Sequence, residues 1–195
     1  MDNFQKAKRI LENHGIIAFP TETVCGLGII YDDEKALHNL DRVKGRPENK
    51  PYTLMLSDVE QIEKYAFLSD KAKKIIAKFV PGALTLLLPA KEGLPYWVTR
   101  GSNKVGIRIS SDELVQNIIR SAGKPLLVPS ANRSGEKPCT DMNEVKEIFK
   151  DEIELYFLGV AGMQKPSTII DLCDNISLIR EGDITFKEIL EVIGE

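Results

Sequence analysis

Short apolar runs of strand length alternate along this chain with longer segments whose apolar residues recur every three to four positions. Few architectures satisfy such interleaving other than a sheet covered by helices. Phe4, Ala7, Ile10 and Leu11 lie at helical spacing after a capping residue, Asp2, and Gly15 follows the last of them, so the opening segment reads as an amphipathic helix. Further helices are predicted near 33–43, 69–79, 111–122 and 185–193. Strands are predicted at 16–19 and near 53–56, 84–88, 105–109, 126–128, 168–172 and 176–179. Only residues 173–175 join the last two strands, too few for a crossover, so that pair must be antiparallel. The expected fold class is therefore α/β, with a mixed parallel and antiparallel sheet flanked by helices.

At 195 residues and 43% hydrophobic, the chain can bury one sizeable core, and residues 1–195 read as a single domain without repeat, linker or low-complexity segment. Twenty-six Lys and Arg against 29 Asp and Glu leave a net charge of -3, so no global basic field recruits anions and any anion site must be local. The three cysteines, Cys25, Cys139 and Cys173, are far apart and show no C-x-x-C spacing, which argues against a disulfide framework and a zinc site. With no apolar run of the ~18 residues a membrane span needs, the reading is a cytoplasmic protein without a membrane partner. His14 and His38 sit on predicted helices without metal-ligand spacing, so no metal site is expected. No G-x-S-x-G elbow is present and Cys25 has no credible His partner, so covalent catalysis is not expected either.

Four loops carry residues suited to binding. In residues 20–28, PTETVCGLG, a buried strand ends in hydroxyls, a carboxylate and two glycines that let backbone approach a ligand. Residues 42–51, RVKGRPENKP, gather four cations with backbone-fixing prolines. Arg offers a planar fork and Lys a compact charge, which together suit polyphosphate. Residues 128–135, VPSANRSG, place small polar side chains at a strand's carboxyl end, where open α/β sheets tend to bind ligands. The fourth combines Lys165–Thr168 with Arg180–Gly182. Taken alone the first, third and fourth loops also read as ordinary capped turns, and residues 42–51 as a solvated basic face, a reading that their prolines and glycine weigh against. Arg108 is sharper, because a charge within the apolar run VGIRI is costly unless it is paired, binds an anion or faces outward.

Taken together and in order, PTETVCGL, KGRPENKP, PGALTLLL, VGIRI, PSANRSG, PSTIID and REG resemble the YrdC family of threonylcarbamoyl-AMP synthases over nearly the whole chain. Seven short motifs in the right order are specific where one is not. The resemblance implies a YrdC-like twisted mixed sheet with a concave, positively charged cavity. It places the family's K-x-R and S-x-N signatures on Lys44, Arg46, Ser130 and Asn132 as catalytic residues. It further implies an ATP site with Arg46, Lys50, Lys104, Ser130 and Arg180, and a threonine site with Thr23, Arg108 and Ser167. Three positions depart from the family: Cys25 stands where tyrosine is usual, Pro129 and Lys104 where threonine is frequent.

The resemblance implies L-threonylcarbamoyladenylate synthase activity: L-threonine, bicarbonate or derived carbon dioxide, and ATP with its Mg2+ give threonylcarbamoyl-AMP and pyrophosphate. A separate tRNA threonylcarbamoyl transferase would receive the product and modify the adenosine beside the anticodon. Two rival readings remain at this point. One is a non-catalytic module that contacts tRNA or double-stranded RNA, against which the charge of -3 and the lack of aromatic-basic interleaving count. The other is a related carbamoyl-adenylate enzyme with another substrate.

Overall fold

A computed structural model of the protein describes residues 2–47 and 50–194. The chain begins with α1 (Asn3–Glu12), β1 (Ile17–Phe19), β2 (Gly26–Ile30), α2 (Glu34–Lys44) and β3 (Leu54–Met55). Next come α3 (Ile62–Tyr65), α4 (Asp70–Phe79), β4 (Leu84–Pro89), α5 (Tyr96–Thr99), β5 (Lys104–Arg108) and α6 (Glu113–Ala122). It ends with β6 (Leu126–Leu127), α7 (Met142–Phe149), β7 (Leu155–Tyr156), β8 (Thr168–Asp171), β9 (Ser177–Arg180) and α8 (Phe186–Ile193). Side-chain caps start the longer helices: the Asp2, Asp33, Ser69, Asp112 and Asp141 side chains each accept a first-turn N–H, and Thr185 closes a capping box with Glu188.

The strands form a nine-stranded sheet in the order β7-β1-β2-β6-β3-β5-β4-β8-β9. β1/β7, β3/β5 and β4/β8 pair in parallel and the remaining neighbours antiparallel, so the sheet is mixed. The short link before β9 gives the antiparallel pair expected of it, with a register shift at Ile169/Ile170. No described helix is long and apolar enough to cross a membrane.

Period-two alternation gives the sheet two unequal faces. On one, Ala18, Leu27, Ile29, Leu54, Leu86 and Ile107 join a large core with apolar residues of α2, α4, α7 and α8. On the other, Ile17, Phe19, Ile30, Met55 and Leu126 pack beneath α1 and α6, which lie against each other. These two helices cover only the β7-to-β3 end, and the face formed by β5, β4, β8 and β9 is left open.

The structure departs from the sequence reading at residues 20–28. The segment turns back after Thr23, and Gly26 and Gly28 belong to β2, paired with Phe19 and Ile17 of β1. Their missing side chains admit protein: a β-carbon on Gly28 would lie 2.8 Å from the buried Phe19 ring, and one on Gly26 would lie 2.7 Å from Val128. α7 and β7, which the sequence reading did not anticipate, follow in the stretch between the third and fourth loops.

Because the Phe19 ring is fully buried and cannot swing aside, Gly28→Ala should destabilise the protein by about 1–3 kcal/mol through overpacking. Urea unfolding of the variant, with an unchanged denaturant slope, is the check.

Candidate functional site

The open face of the sheet is the floor of a cavity of ≈ 320 Å³. On β4, Leu84, Leu86 and Leu88 point into the large core, so Thr85 and Leu87 face the cavity. On β5, Val105 and Ile107 go to the core and Gly106 and Arg108 to the cavity. Loops then raise the walls: Val24 after β1, Arg46, Pro51, Tyr52 and Thr53 after α2, Val128 to Ser130 after β6, and Pro166 and Ser167 before β8. The described lining includes three arginines, Arg46, Arg108 and Arg180, and no carboxylate.

Arg108 closes one end. Its side chain is only 8% exposed, and one amino group donates to Thr23 Oγ1 at 2.7 Å and lies 2.8 Å from Glu22 Oε1. Glu22 is itself gripped by the Ser110 hydroxyl. The Arg108 Nε is buried and has no partner among the described residues. A buried donor without an acceptor is destabilising unless a ligand completes it. Beside it, Ser167 Oγ and Thr85 Oγ1 are 2.9 Å apart. Arg180 donates through Nε and Nη2 to Ser167 O at 3.0 and 2.8 Å. Burial, and after it the charge of Arg108, pull the Arg180 pKa below its ordinary value. Two guanidiniums facing one space without a carboxylate between them favour an anion there.

At the other end, the last residue of α2 and the turn after it deliver two cations to different places. Arg46 lies over the Tyr52 ring at 4.4 Å and donates to Lys50 O and Pro51 O at 3.1 and 2.8 Å. Burial lowers its pKa also. Lys44 is only 2% exposed and passes beneath the 130–135 loop, where Nζ donates to Ser130 O at 2.6 Å and Asn132 O at 2.7 Å, with Asn132 Oδ1 at 3.5 Å. The Ser130 hydroxyl donates to Asn132 Oδ1 at 2.6 Å, and Asn132 Nδ2 donates to Arg133 O and Glu136 O. Lys44 thus ties the end of α2 to the loop that presents Ser130. Burial, and after it the Arg46 charge, pull the Lys44 pKa down to about 7. Its carbonyl acceptors oppose that shift, since they suit the ammonium form.

Of the residues singled out from sequence, Arg46, Arg108, Ser130, Ser167 and Arg180 line the cavity. Thr23, Lys44 and Asn132 stand one contact behind them. Lys50 is exposed, with its carbonyl holding Arg46. Lys104 is 2.6 Å from Asp171 in an ion pair and is not part of the described lining. Of the second loop, Glu48 and Asn49 lie outside the described residues. Cys25 points into the large core, where burial pushes its thiol up to about 12, so it is inert as a nucleophile. Pro129, by contrast, lines the cavity. Sequence reasoning missed Thr85 and Tyr52; the one signal for Thr85 was a hydroxyl inside the run LTLLL.

The fold and lining define an α/β protein with an arginine-lined cavity on an open sheet face. Residues 9–182 match a sequence model of the Sua5/YciO/YrdC family, described as "Telomere recombination", and the chain belongs to that family. Threonylcarbamoyl-AMP synthase of Pyrococcus abyssi is 37% identical over 183 residues, 92% of this chain and 54% of that protein. The enzyme of the same name from Photorhabdus laumondii is 35% identical over 182 residues, 92% of this chain and 96% of that protein. The chain thus spans about half the length of the first relative and nearly all of the second. The crystal structure of P. abyssi Sua5 complexed with L-threonine superposes with a TM-score of 0.93 at 35% identity, over 98% of this chain and 57% of that one.

Lys44 also makes a pH prediction. Its folded value near 7 lies below its ordinary 10.5, so between those pH values the folded protein binds fewer protons there than the unfolded chain. Its contribution to stability therefore rises with pH across that window and is flat below it. Urea melts at pH 7 and pH 9 should show a smaller rise for Lys44→Met than for the wild type.

Proposed function

We propose that the chain is an L-threonylcarbamoyladenylate synthase, a cytoplasmic nucleotidyltransferase that supplies threonylcarbamoyl-AMP for threonylcarbamoyl-adenosine modification of tRNA. The observation that carries this reading is the convergence of Arg46, Arg108 and Arg180 on one cavity whose described lining holds no carboxylate. The substrates fit that charge, because threonine, bicarbonate and ATP each bring anionic oxygens. The threonine-bound P. abyssi structure and the names of the relatives support the substrate class.

In this reading the threonine carboxylate takes the unpartnered Nε of Arg108, with Ser167 beside it and Thr23 steadying the guanidinium. Arg46, Ser130 and Arg180 take ATP, whose phosphates bring Mg2+ with them. The threonine amine adds to bicarbonate or derived carbon dioxide, with loss of water from the bicarbonate, to give the N-carboxylate. An oxygen of that carboxylate attacks the α-phosphate, and the bond to the β-phosphate breaks to release pyrophosphate. No protein nucleophile takes part. The chain contributes alignment, worth up to ~7–11 kcal/mol when reactants are held in line, and fixed cations where charge accumulates on the leaving group. The product then passes to a tRNA threonylcarbamoyl transferase.

The first test is pyrophosphate release from ATP by the purified protein with Mg2+ and bicarbonate, with L-threonine, with serine and with neither. Threonine-dependent release is the expected result. No release with any amino acid, together with salt-sensitive binding of tRNA, would move the assignment to an RNA-binding module. Arg46→Ala should lower turnover on the order of 10²–10³-fold, as removal of a preorganised electrostatic donor does. Arg108→Gln should raise the threonine KM about 10- to 100-fold while sparing the ATP KM, as loss of a charge-assisted contact implies.

A further inference from the structure

Arg46 faces the cavity although a carboxylate that could withdraw it lies close by. Asp41 is on the last turns of α2, and its backbone carbonyl accepts the Arg46 N–H at 3.1 Å. Of the Arg46 guanidinium, Nε and Nη2 are engaged by the Lys50 and Pro51 carbonyls, and Nη1 has no partner among the described residues. A guanidinium with a free amino group beside a carboxylate ordinarily pairs with it. Here each Asp41 oxygen already has a donor. Oδ1 accepts from the Tyr52 hydroxyl at 2.5 Å, and Oδ2 accepts from Arg100 Nη2 at 2.9 Å.

Arg100 is an unusual residue to find in that role. It comes from the β4–β5 connection, 59 positions along the chain from Asp41. Its backbone is left-handed, with φ 52, a conformation its β-carbon disfavours. Its side chain is 12% exposed, and its Nε is buried with no partner among the described residues. Backbone strain and an unpaired buried donor both oppose folding. What they secure is the ion pair with Asp41.

We infer that Arg100 and the Tyr52 hydroxyl are positioning residues that occupy the Asp41 carboxylate and so keep the Arg46 fork turned into the cavity. The inference rests on the reading that Arg46 contacts ATP. Tyr52 serves twice, since the ring whose hydroxyl engages Asp41 is also the platform beneath Arg46. Freed of Arg100, Asp41 captures Arg46 and nucleotide binding weakens; freed of its charge as well, Asp41 has no hold on Arg46 and binding recovers. A merely structural prop predicts the reverse, because removing both partners then damages the fold further.

The experiment is calorimetric titration of ATP into the whole protein, alongside threonine KM and thermal melting, for Arg46→Ala, Arg100→Gln, Arg100→Lys, Tyr52→Phe and the double variant Arg100→Gln/Asp41→Asn. Arg100→Gln should weaken ATP ~10-fold, as a shift of Arg46 towards Asp41 implies, with the threonine KM unchanged. Arg100→Lys should stay near wild type, and the double variant should bind ATP more tightly than Arg100→Gln. Should Arg100→Gln melt too low for titration, Tyr52→Phe, which keeps the ring and frees Oδ1, should show the same selective loss of ATP. ATP affinity that Arg46→Ala lowers but Arg100→Gln or Tyr52→Phe leaves intact overturns the inference alone. So does a double variant no better than Arg100→Gln. ATP affinity indifferent to Arg46→Ala overturns the nucleotide assignment and the inference with it.

Discussion

Two helices are too few to cover one face of a nine-stranded sheet, and most of what distinguishes this molecule follows from that shortfall. α1 and α6 seal the face only over the β7-to-β3 end, burying Ile17, Phe19, Leu126 and Met55. Beyond them the same face continues as Thr85, Leu87, Gly106 and Arg108 with nothing helical above it. A sheet face left open is stable only if its residues are not uniformly apolar. Here a hydroxyl, a glycine and a guanidinium interrupt runs that would otherwise be leucine and isoleucine, and they give the cavity a mixed polar and apolar floor. The large core on the opposite face supplies the rigidity, so the cavity residues are held by strands rather than by loops alone.

The second theme is how a chain of net charge -3 concentrates cations. Many surface lysines and arginines pair with nearby carboxylates, as Lys124 does with Asp32 and Arg120 with Asp58. In the cavity the pattern changes. Arg46 and Arg180 donate to backbone carbonyls, which orient a guanidinium without cancelling its charge, whereas Arg108 divides one amino group between the Thr23 hydroxyl and Glu22. Glu22, the carboxylate next to Arg108, is also gripped by Ser110 and stands outside the described lining.

Much of this could be read from sequence, for identifiable reasons. Long periodic segments with side-chain caps, such as α1 after Asp2 and α4 after Ser69, were legible because local propensity and tertiary packing agree there. β2 was not, since its alternate glycines look like turn residues until one knows that Phe19 and Val128 lie against them. β7, two residues long and added in parallel to β1, depends on a partner far away in the chain. At the site, Arg108 announced itself as a charge in an apolar strand. Tyr52 and Arg100 did not, because their contacts with Asp41, and that of the Tyr52 ring with Arg46, form only in the folded chain. The charge run 42–51 was legible as a cluster, but the dispersal of Lys44 and Arg46 into one buried amine and one cavity guanidinium is decided by the turn that follows α2.

That dispersal makes the two cations of the K-x-R signature non-exchangeable. Lys44 ends where carbonyl oxygens of Ser130 and Asn132 converge on a single point, a space shaped for a compact ammonium at the tip of a thin stem. A planar guanidinium would need those carbonyls to move apart, taking Ser130 with them. Arg46 occupies the opposite environment, a flat slot between an aromatic ring and two carbonyls, where an ammonium would lose both the stacking and the fork. The order of the two residues is thus a matter of shape, and a chain with the pair reversed would carry the same charge and have no way to place it.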